Sequence, residues 1–308
     1  MPRECSATIR AAERTALHGI VVRDRARSAG LSDDAIQHLV RRGRWHRLFR
    51  GIYSVRKPTA IGRAHAAVLA LGRTRGVASH WTAARAHGLT VLDVWDELVD
   101  EAATVDRHLR RPFVAGLHVY AHDLDTSDRM SLAGVSIGTL RQTLVDLLLR
   151  APRATAIWAT EQAIAAGRVV PAELTWQLAA ARHVPGVEAA RRRLALVDPR
   201  SESPLETLAR LVIIDAGLPA PDVQITVIDP STGRLWFRID LGYADKRIAL
   251  ECDGRAAHTS PEAVFADRQR QNQLHLLGWR VLRVTWHDVV HRPAYVAWLV
   301  RTALAEAA

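Results

Sequence analysis

The chain has 308 residues, 48% of them hydrophobic, and this length accommodates two or three domains that each bury a core. No apolar run reaches membrane-spanning length, and the first nineteen residues carry charges throughout and lack the apolar stretch of a secretory signal. The two cysteines, Cys5 and Cys252, form neither a disulfide framework nor a zinc-ligand spacing. These features exclude a membrane-spanning or disulfide-rich secreted protein and predict a cytoplasmic one.

The net charge of +10 is concentrated in the first two thirds of the chain. Residues 201–308 contain 12 basic against 13 acidic side chains, whereas residues 1–200 contain 30 against 19. A polyanion is therefore the expected partner of the N-terminal part, with nucleic acid favoured over a membrane surface. The alternative is an arginine-rich background composition, since only two lysines occur in the chain.

Residues 19–55 follow the order of a winged helix-turn-helix. A short helical pattern ends at Gly30, and Ser32 then caps a second helix that closes at Gly43. Residues 45–53 mix aromatic, β-branched and basic side chains, which predicts a β-hairpin. In this geometry the second helix enters the major groove, and the wing contacts bases and phosphates. The predicted DNA-contacting residues are Gln37, His38, Arg41 and Arg42 on the helix, and Arg44, Arg47 and Arg50 on the wing. A generic helical hairpin with solvated arginines is the alternative.

The middle region, residues 59–198, has a mixed α/β pattern followed by helices. Strand-like stretches occur around Val99 and from His118 to Ala121. The region contains no paired nucleophile and base, no glycine-rich phosphate loop and no repeat. Scattered histidines are more often structural or exposed than ligands, and the ones in question are His80, His87, His118 and His122. We therefore expect this region to support and space its neighbours.

Residues 199–308 show a different alternation, which begins with a helix that carries Glu206 in its first turns. Three strand patterns follow, and a long helix precedes a fourth strand, Trp279 to Trp286, that is expected to be central in the sheet. In the second strand, alternation places four apolar residues on one face: Leu235, Phe237, Ile239 and Leu241. The expected domains are thus residues 1–58, 59–198 and 199–308.

Acidic residues cluster on the hairpin that the second and third strands form. If its turn is centred on Asp245 and Lys246, Asp240 lies directly across from Glu251, and Asp253 lies one diagonal step away. Facing like charges destabilise a sheet, and acids are poor strand formers, so these carboxylates need a compensating cation. Two carboxylates completed by water and substrate phosphate suit Mg²⁺, which can polarise a phosphodiester and activate water.

The alternative for this hairpin is a solvent-facing surface whose acids are hydrated or paired with arginines. The candidate arginines are Arg238, Arg255 and Arg268.

The hairpin also resembles a known family. Asp240, ten further residues and then Glu251-Cys252-Asp253 resemble the Asp…Glu-x-Lys core of the restriction-endonuclease-like, or PD-(D/E)XK, superfamily. The surrounding residues are similar to a branch related to very-short-patch-repair endonucleases, mostly known as a domain of unknown function. The motifs that carry this similarity are Arg238-Ile239-Asp240-Leu241, Leu250-Glu251-Cys252-Asp253-Gly254, His258, and Asp267-x-x-Arg270-x-x-x-Leu274-x-x-x-Gly278-Trp279-Arg280-Val281-Leu282-Arg283.

This resemblance implies roles for the acidic residues. Asp240 and Glu251 would ligate Mg²⁺, with Mn²⁺ as a substitute, and the Cys252 carbonyl would be a third ligand. Glu206 would act through water, and Asp253 would be a further ligand or orient the nucleophilic water. Asp253 stands where the wider superfamily has lysine, although this branch usually shows the same acid.

The same resemblance implies roles for His258, which precedes the long helix, and for Asp267 and Arg270 on that helix. His258 would act as a general base or contact phosphate, since histidine titrates near neutrality. Asp267 and Arg270 share one helix face, where they would position the site, stabilise phosphate charge, or form an ordinary intrahelical ion pair.

The N-terminal part, residues 14–150, resembles the AbiEi-type antitoxins and related transcriptional regulators. The motifs are Gly51-Ile52-Tyr53, Ser79-His80-Trp81-Thr82-Ala83-Ala84-x-x-His87-Gly88-Leu89, and Thr139-Leu140-Arg141-Gln142-Thr143-Leu144-Val145-Asp146. The resemblance implies a winged helix that binds operator DNA and represses its own operon.

The sequence therefore predicts an α/β multidomain protein with an N-terminal winged helix-turn-helix, a mixed α/β and helical middle region, and a C-terminal restriction-endonuclease-like domain. The first functional hypothesis is a metal-dependent DNA endonuclease in phage defence or DNA repair. The second is an antitoxin-like DNA-binding regulator whose nuclease fold is inactive or serves only for binding. RNA is a less favoured target, because no platform of exposed aromatics is evident. DNA is the expected partner and a membrane is not, and a homodimer and a cognate toxin stay open.

Overall fold

The computed structural model describes residues 3–72, 76–94, 98, 100–108, 113–181, 184–229, 231–254 and 261–307. The chain divides into two compact units. The first comprises Met1–Ala159 and Ala166–Ala195, and the second comprises Thr160–Ala165 and Leu196–Ala308. None of the described helices combines the length and the apolar character needed to cross a bilayer.

The first unit opens with three helices and a small antiparallel sheet. In chain order the elements are α1 (Arg3–Arg14), β1 (Ile20–Val22), α2 (Arg23–Ser28), α3 (Asp33–Arg41), β2 (His46–Phe49) and β3 (Ile52–Ser54), with strand order β1-β3-β2. The predicted helices and hairpin are confirmed, and the Ser32 side chain accepts a hydrogen bond from the backbone N–H of Ala35, as expected of the cap. Helix α1 and strand β1 were not predicted. Val21, Ile36, Trp45 and Tyr53 pack together in the core beneath them.

A mixed five-stranded sheet follows in the same unit, with strand order β6-β5-β4-β8-β7. Its strands are β4 (Gly76–Ala78), β5 (Glu101–Val105), β6 (Leu117–Ala121), β7 (Arg129–Leu132) and β8 (Val135–Gly138). The helices that follow along the chain are α4 (Ala60–Ala70), α5 (His80–Ala86), α6 (Leu140–Arg150), α7 (Arg153–Ala165), α8 (Pro171–Ala180) and α9 (Val187–Leu194), and of these α7 contributes its last six residues to the second unit. The strand predicted at His118 to Ala121 is confirmed as β6. The one predicted around Val99 begins at Glu101, and Val99 itself lies outside the described residues.

The second unit has the order α-β-β-β-α-β with two closing helices. Its elements are α10 (Pro204–Asp215), β9 (Asp222–Ile228), β10 (Leu235–Tyr243), β11 (Ile248–Asp253), α11 (Pro261–Leu276), β12 (Arg280–Thr285), α12 (Trp286–His291) and α13 (Pro293–Glu306). Strand order is β12-β11-β10-β9, with β9, β10 and β11 antiparallel and β12 parallel to β11. The expectation that β12 is central is wrong. Because β10 already occupies one edge of β11, the parallel crossover adds β12 on the other side, at the end of the described sheet.

Helices cover both faces of this sheet. Ile248, Leu250 and Val284 pack in a cluster that contains residues of α10 and α13, whereas Ala249 packs with Leu274 of α11. The expected single apolar face of β10 is only partly correct, because Ile239 packs with Ala249 and Leu241 packs with Leu250.

A change in backbone conformation accounts for this switch of face. On the neighbouring strand β9, Gln224 has a left-handed φ of 55°, which interrupts regular extended backbone. Val223 and Ile225, on either side of it, pack in the two different clusters. Strand β10 follows the same change, since Leu241 pairs with Val223 and Ile239 pairs with Ile225. Asp240 therefore lies at the point where the strand changes face.

Candidate active site and nucleic-acid interface

Asp240 and Glu251 are brought together across the β10–β11 hairpin. The ladder pairs Leu241 with Leu250, so Asp240 comes next opposite Glu251, which agrees with the register predicted from the sequence. The Cys252 backbone N–H donates to Asp240 Oδ2 at 2.8 Å. Burial raises the pKa of the Asp240 carboxyl, although the Cys252 N–H and Arg270 oppose that shift and Asp253 adds to it. Its other oxygen, Oδ1, has no hydrogen-bond partner among the described residues.

Glu251 is buried, with 7% of its surface exposed, and its carboxylate contacts an arginine of α11. Arg270 Nη2 lies 2.9 Å from each Glu251 oxygen and also donates to the Arg238 carbonyl. The same guanidinium lies over the Phe237 ring, 5.5 Å from its centroid. Burial raises the pKa of Glu251 to about 7; Arg270 opposes this shift, and Asp240 adds to it.

Asp253 lies beyond Glu251 on β11 and contacts the parallel strand β12. Arg283 Nη1 lies 3.4 Å from both Asp253 oxygens, and the register pairs Arg283 with Glu251. The three predicted carboxylates are thus not equivalent, because Asp253 contacts an arginine, whereas Asp240 has one oxygen without a partner among the described residues. The three carboxylates still influence one another electrostatically, since the charge of Asp253 raises the pKa of both Asp240 and Glu251.

Glu206 is buried in the first turn of α10, where the Ser203 hydroxyl caps the helix by accepting from the Glu206 N–H. Its Oε2 accepts from the Glu202 backbone N–H at 2.9 Å and from Gln224 Nε2 at 3.0 Å. Burial raises the pKa of Glu206, and the Asp240 charge adds to this shift. Glu206 therefore belongs to the same electrostatic group as Asp240. Gln224 of β9 links Glu206 on α10 to Asp240 on β10. Its side chain donates to Glu206, and its position on β9 lies opposite Asp240 in the β9–β10 register.

Three residues named in the sequence analysis lie outside the described part of the chain, wholly or in their side chains. His258 lies outside the described residues, and so does the side chain of Asp267. Of the arginines suggested as alternative partners for the acids, Arg238 pairs with Glu202 at 2.7 Å, and Arg255 lies outside the described residues.

The acidic hairpin fits a hard divalent cation. Asp240 and Glu251 are neighbouring carboxylates whose pKa values both rise through burial, and the charge of Asp240 raises the pKa of Glu251 further, which is the repulsion that a bound cation relieves. Mg²⁺ is commonly held by one or two carboxylates together with water and phosphate oxygens. Within the described ranges, three side-chain ligand atoms of the metal-binding types lie within 4.8 Å of one another only at Asp106, His108 and Asp123, in the first unit. The described side chains of the hairpin thus do not bring three such ligand atoms together.

The contacts of two arginines with the acids were not predicted, although Arg270 was expected to position the site or stabilise phosphate charge. Arg270 of α11 contacts Glu251, 19 residues before it in the chain, and Arg283 of β12 contacts Asp253, 30 residues before it. A signal did exist for Arg283, because alternation along β12 places it on the side of Glu251 once a parallel register is assumed.

On α3 and the β2–β3 hairpin, the seven predicted DNA-contacting residues are all exposed or half-buried. Arg41, Arg42, Arg47 and Arg50 have no ion-pair partner among the described residues. Arg44 differs, because its Nη2 lies 3.0 Å from Glu13 on α1, which compensates its charge. The basic surface of this element thus consists of four unpaired arginines and one paired arginine.

The order of elements and the acidic hairpin define a restriction-endonuclease-like domain in the second unit. Residues 225–304 match the model of the family described as REase_MTES_1575, a restriction-endonuclease-like family. Folds of this type typically bind divalent metals.

The similarity to two relatives extends over most of the chain. The chain is 31% identical over 263 residues to "Uncharacterized protein MT2308" of Mycobacterium tuberculosis (strain CDC 1551 / Oshkosh). The aligned region covers 84% of this chain and 92% of the relative. The same values hold for "Uncharacterized protein Rv2248" of Mycobacterium tuberculosis (strain ATCC 25618 / H37Rv). The chain belongs to the family of these mycobacterial proteins.

Proposed function

We propose that the chain is a metal-dependent DNA endonuclease that hydrolyses phosphodiesters and reaches DNA through an N-terminal winged helix-turn-helix. The observation that carries this proposal is the pair of crowded carboxylates, Asp240 and Glu251, on the hairpin of a restriction-endonuclease-like domain. Phage defence or DNA repair is the setting that we propose for this activity.

Each residue of the site has a role in this proposal. Asp240, Glu251 and the Cys252 carbonyl hold Mg²⁺ or Mn²⁺, which when bound supplies Lewis-acid polarisation of the phosphodiester and activates water. Asp240 offers its unpaired Oδ1, and Glu251 offers a carboxylate that burial makes costly to ionise without a cation. Glu206 acts through water, because its Oε2 is already occupied by two protein donors.

Three further residues act on the water or on the phosphate. Asp253 orients the attacking water, and His258 accepts its proton or contacts a phosphate oxygen. Arg270 stabilises negative charge on the phosphate, because its guanidinium reaches the edge of the site at Glu251.

DNA targeting is assigned to α3 and the β2–β3 hairpin. Helix α3 presents Gln37, His38, Arg41 and Arg42, and the hairpin presents Arg44, Arg47 and Arg50. The exposure of these side chains, the absence of ion-pair partners for four of the arginines among the described residues, and the basic composition of the first 200 residues support this assignment. Neither the comparisons nor the described residues support a homodimer or a cognate toxin, and the proposal includes neither.

The deciding experiment incubates the protein with supercoiled and linear DNA in Mg²⁺, in Mn²⁺ and in chelator. We expect metal-dependent nicking that Asp240→Ala and Glu251→Ala both abolish. Asp245→Asn is the matched control, since Asp245 is an exposed acid on the turn of the same hairpin and should leave nicking intact. Calorimetric titration with Mn²⁺ gives a second readout, in which Asp240→Asn should lose binding.

A second candidate function is a DNA-binding regulator whose nuclease fold does not cut. Two features favour this candidate. Arg270 already compensates the charge of Glu251, and the chain has Asp253 at the position where the wider superfamily has lysine. Salt-sensitive DNA binding without cleavage in any metal, and without Mn²⁺ binding at the hairpin, would support this candidate and reject the endonuclease.

A further inference from the structure

We propose that a cavity in the first unit, at one end of its five-stranded sheet, is a binding site for a guanine base that carries a phosphate. The cavity has a volume of about 230 Å³ and lies between β6, α6 and α8. Its polar lining includes His80, Tyr120, His122, Asp146, Arg150 and Gln177. This proposal is independent of the nuclease hairpin, which lies in the other unit.

Two residues that line the cavity, Asp146 and Gln177, each carry a buried acceptor oxygen that lacks a donor among the described residues. Asp146 is 3% exposed, and its Oδ1 accepts from Gln142 Nε2 at 2.8 Å. Gln142 Oε1 in turn accepts from Gln177 Nε2 at 2.6 Å. Asp146 Oδ2 and Gln177 Oε1 have no hydrogen-bond partner among the described residues. A buried acceptor left unpaired in this way destabilises the folded protein, so a ligand with matching N–H donors gains what the folded protein loses.

The two neighbouring histidines do not supply these donors. His80 Nδ1 is 3.9 Å from Asp146 Oδ2 and is instead 2.9 Å from the Ser79 hydroxyl oxygen, while the His80 ring stacks on Tyr120 with centroids 3.6 Å apart. Burial holds the pKa of His80 well below its usual range, so the ring is neutral. His122 Nε2 lies 3.5 Å from Asp146 Oδ1, which is too long for a well-formed hydrogen bond.

The backbone at His80 is also unusual. Its φ is 49°, a left-handed conformation that a histidine rarely adopts, at a position that is 1% exposed. Residues held in such conformations tend to occur at binding sites and active sites. This strain agrees with a cavity whose shape is maintained for a ligand.

The charges around the cavity identify the kind of ligand. Arg107 and Arg150 line the same cavity as Asp123 and Asp146, and Arg107 pairs with Asp123, so Arg150 and Asp146 are the charges left to recognise a ligand. A metal ion is disfavoured, because among the described residues His80, His122 and Asp146 do not bring three ligand atoms within 4.8 Å of one another. A ligand that complements both groups combines N–H donors for Asp146 with an anionic part for Arg150.

Guanine combines these properties best among the nucleobases. Its Watson–Crick edge presents two adjacent donors, N1–H and the exocyclic N2 amine, which match a carboxylate such as Asp146. Adenine and cytosine each offer one donor group beside an acceptor, which would face an acceptor oxygen. A phosphate attached to the ligand would interact with Arg150, which is exposed and has no ion-pair partner among the described residues. Arg107 is less available because it pairs with Asp123 at 2.7 Å.

Calorimetric titration of the full chain with GMP, IMP and AMP tests the proposal. IMP differs from GMP only by the missing N2 amine, so we expect GMP to bind about tenfold or more tightly than either of the others. Asp146→Asn should remove the preference for GMP over IMP, whereas Asp125→Asn, an exposed acid on the loop after β6, should keep it.

Arg150→Ala is a second test in case the buried substitution Asp146→Asn prevents folding, because Arg150 is exposed. It should weaken GMP binding about tenfold and leave binding of guanosine unchanged. A guanine-containing single-stranded oligonucleotide, titrated beside GMP, distinguishes a free nucleotide from a base within DNA. Equal affinity for GMP, IMP and AMP, full competition by inorganic phosphate alone, or no binding at millimolar nucleotide would overturn the proposal.

Discussion

One guanidinium nitrogen of Arg270 lies 2.9 Å from both carboxylate oxygens of Glu251. The acid that the proposal assigns to metal binding is thus already compensated by a cation of the protein itself. An arginine at this distance competes electrostatically with a divalent ion for the same carboxylate.

Arg270→Ala should therefore strengthen metal binding while it weakens catalysis. Removing the guanidinium leaves Glu251 uncompensated, so Mn²⁺ affinity measured by calorimetry should rise about fivefold, and DNA nicking should fall. Arg268→Ala on the same helix is the control, because Arg268 is exposed and makes no contact with Glu251. Unchanged Mn²⁺ affinity in Arg270→Ala would show that the two cations do not share this carboxylate.

The stability of the metal-free protein should depend on Glu251 above neutral pH. Burial raises the pKa of Glu251 from 4.5 to about 7, so the folded state holds this proton more tightly than the unfolded state does. The stabilisation from that proton is fully present below pH 4.5 and is lost as the pH rises through about 7. Glu251→Gln, which mimics the neutral acid, should gain stability over the wild type as the pH rises, up to about 3 kcal/mol at pH 8.

Urea unfolding in chelator at pH 5 and at pH 8 measures this difference. Asp245→Asn serves again as the control and should show no such pH dependence, since Asp245 is exposed. An equal effect of Glu251→Gln on the free energy of unfolding at both pH values would contradict the raised pKa of the buried Glu251 carboxyl.

DNA affinity should depend on salt in a way that reports the arginines of α3 and the β2–β3 hairpin. Arg41→Ala and Arg47→Ala should each reduce the slope of log K against log salt concentration by about 1, because each contributes one phosphate contact. Fluorescence anisotropy with a labelled duplex between low and moderate salt gives the slopes. Arg129→Ala, on edge strand β7, removes an equally exposed arginine and should leave the slope unchanged.

Arg44→Ala should behave differently from these two variants. Its guanidinium pairs with Glu13, so its removal should alter stability more than it alters the salt slope. A slope change as large as that of Arg41→Ala would place Arg44 at the phosphates in spite of its partner.

A buried ion pair should control the stability of the second unit. Arg210 pairs with Glu161, whose pKa burial raises to about 6 and whose side chain also accepts from the Thr207 hydroxyl. Arg210→Leu leaves this carboxylate buried without its cation and should cost about 3–5 kcal/mol. The double variant with Glu161→Leu should cost less than Arg210→Leu alone, and chemical unfolding of both variants measures the difference. A double variant that is the less stable of the two would contradict this account.

Local patterns predicted the parts of the site that are local. The hairpin register followed from the turn at Asp245 and Lys246, since two strands joined by a short turn have few pairings available. The α3 cap at Ser32 was equally readable, because an N-cap acts within one helical turn. Helix α1 was missed, since its clearly buried apolar side chains are few, Ile9 and Ala12 among those described.

Tertiary contacts explain the remaining misses. The switch of face at Asp240 depends on the left-handed backbone of Gln224 on another strand, which no alternation pattern in β10 reveals. The interpretation of His80 and His122 as scattered was also incomplete. Helix α6 places Asp146 between them, although they lie far apart in the sequence. Such convergence depends on the packing of strands and helices, and sequence spacing does not encode it.

The parallel pairing of β11 with β12 also affects how the protein is made. During synthesis from the N-terminus, the ribosome releases Glu251 and Asp253 before Arg270 and Arg283, the residues that neutralise them. A nascent chain that ends at β11 therefore carries Glu251 and Asp253 without the two arginines that contact them, and the edge of β11 that pairs with β12 is still open. The four-stranded sheet can be completed only after the α11 crossover has emerged, so these two acids gain their arginine partners only at that stage.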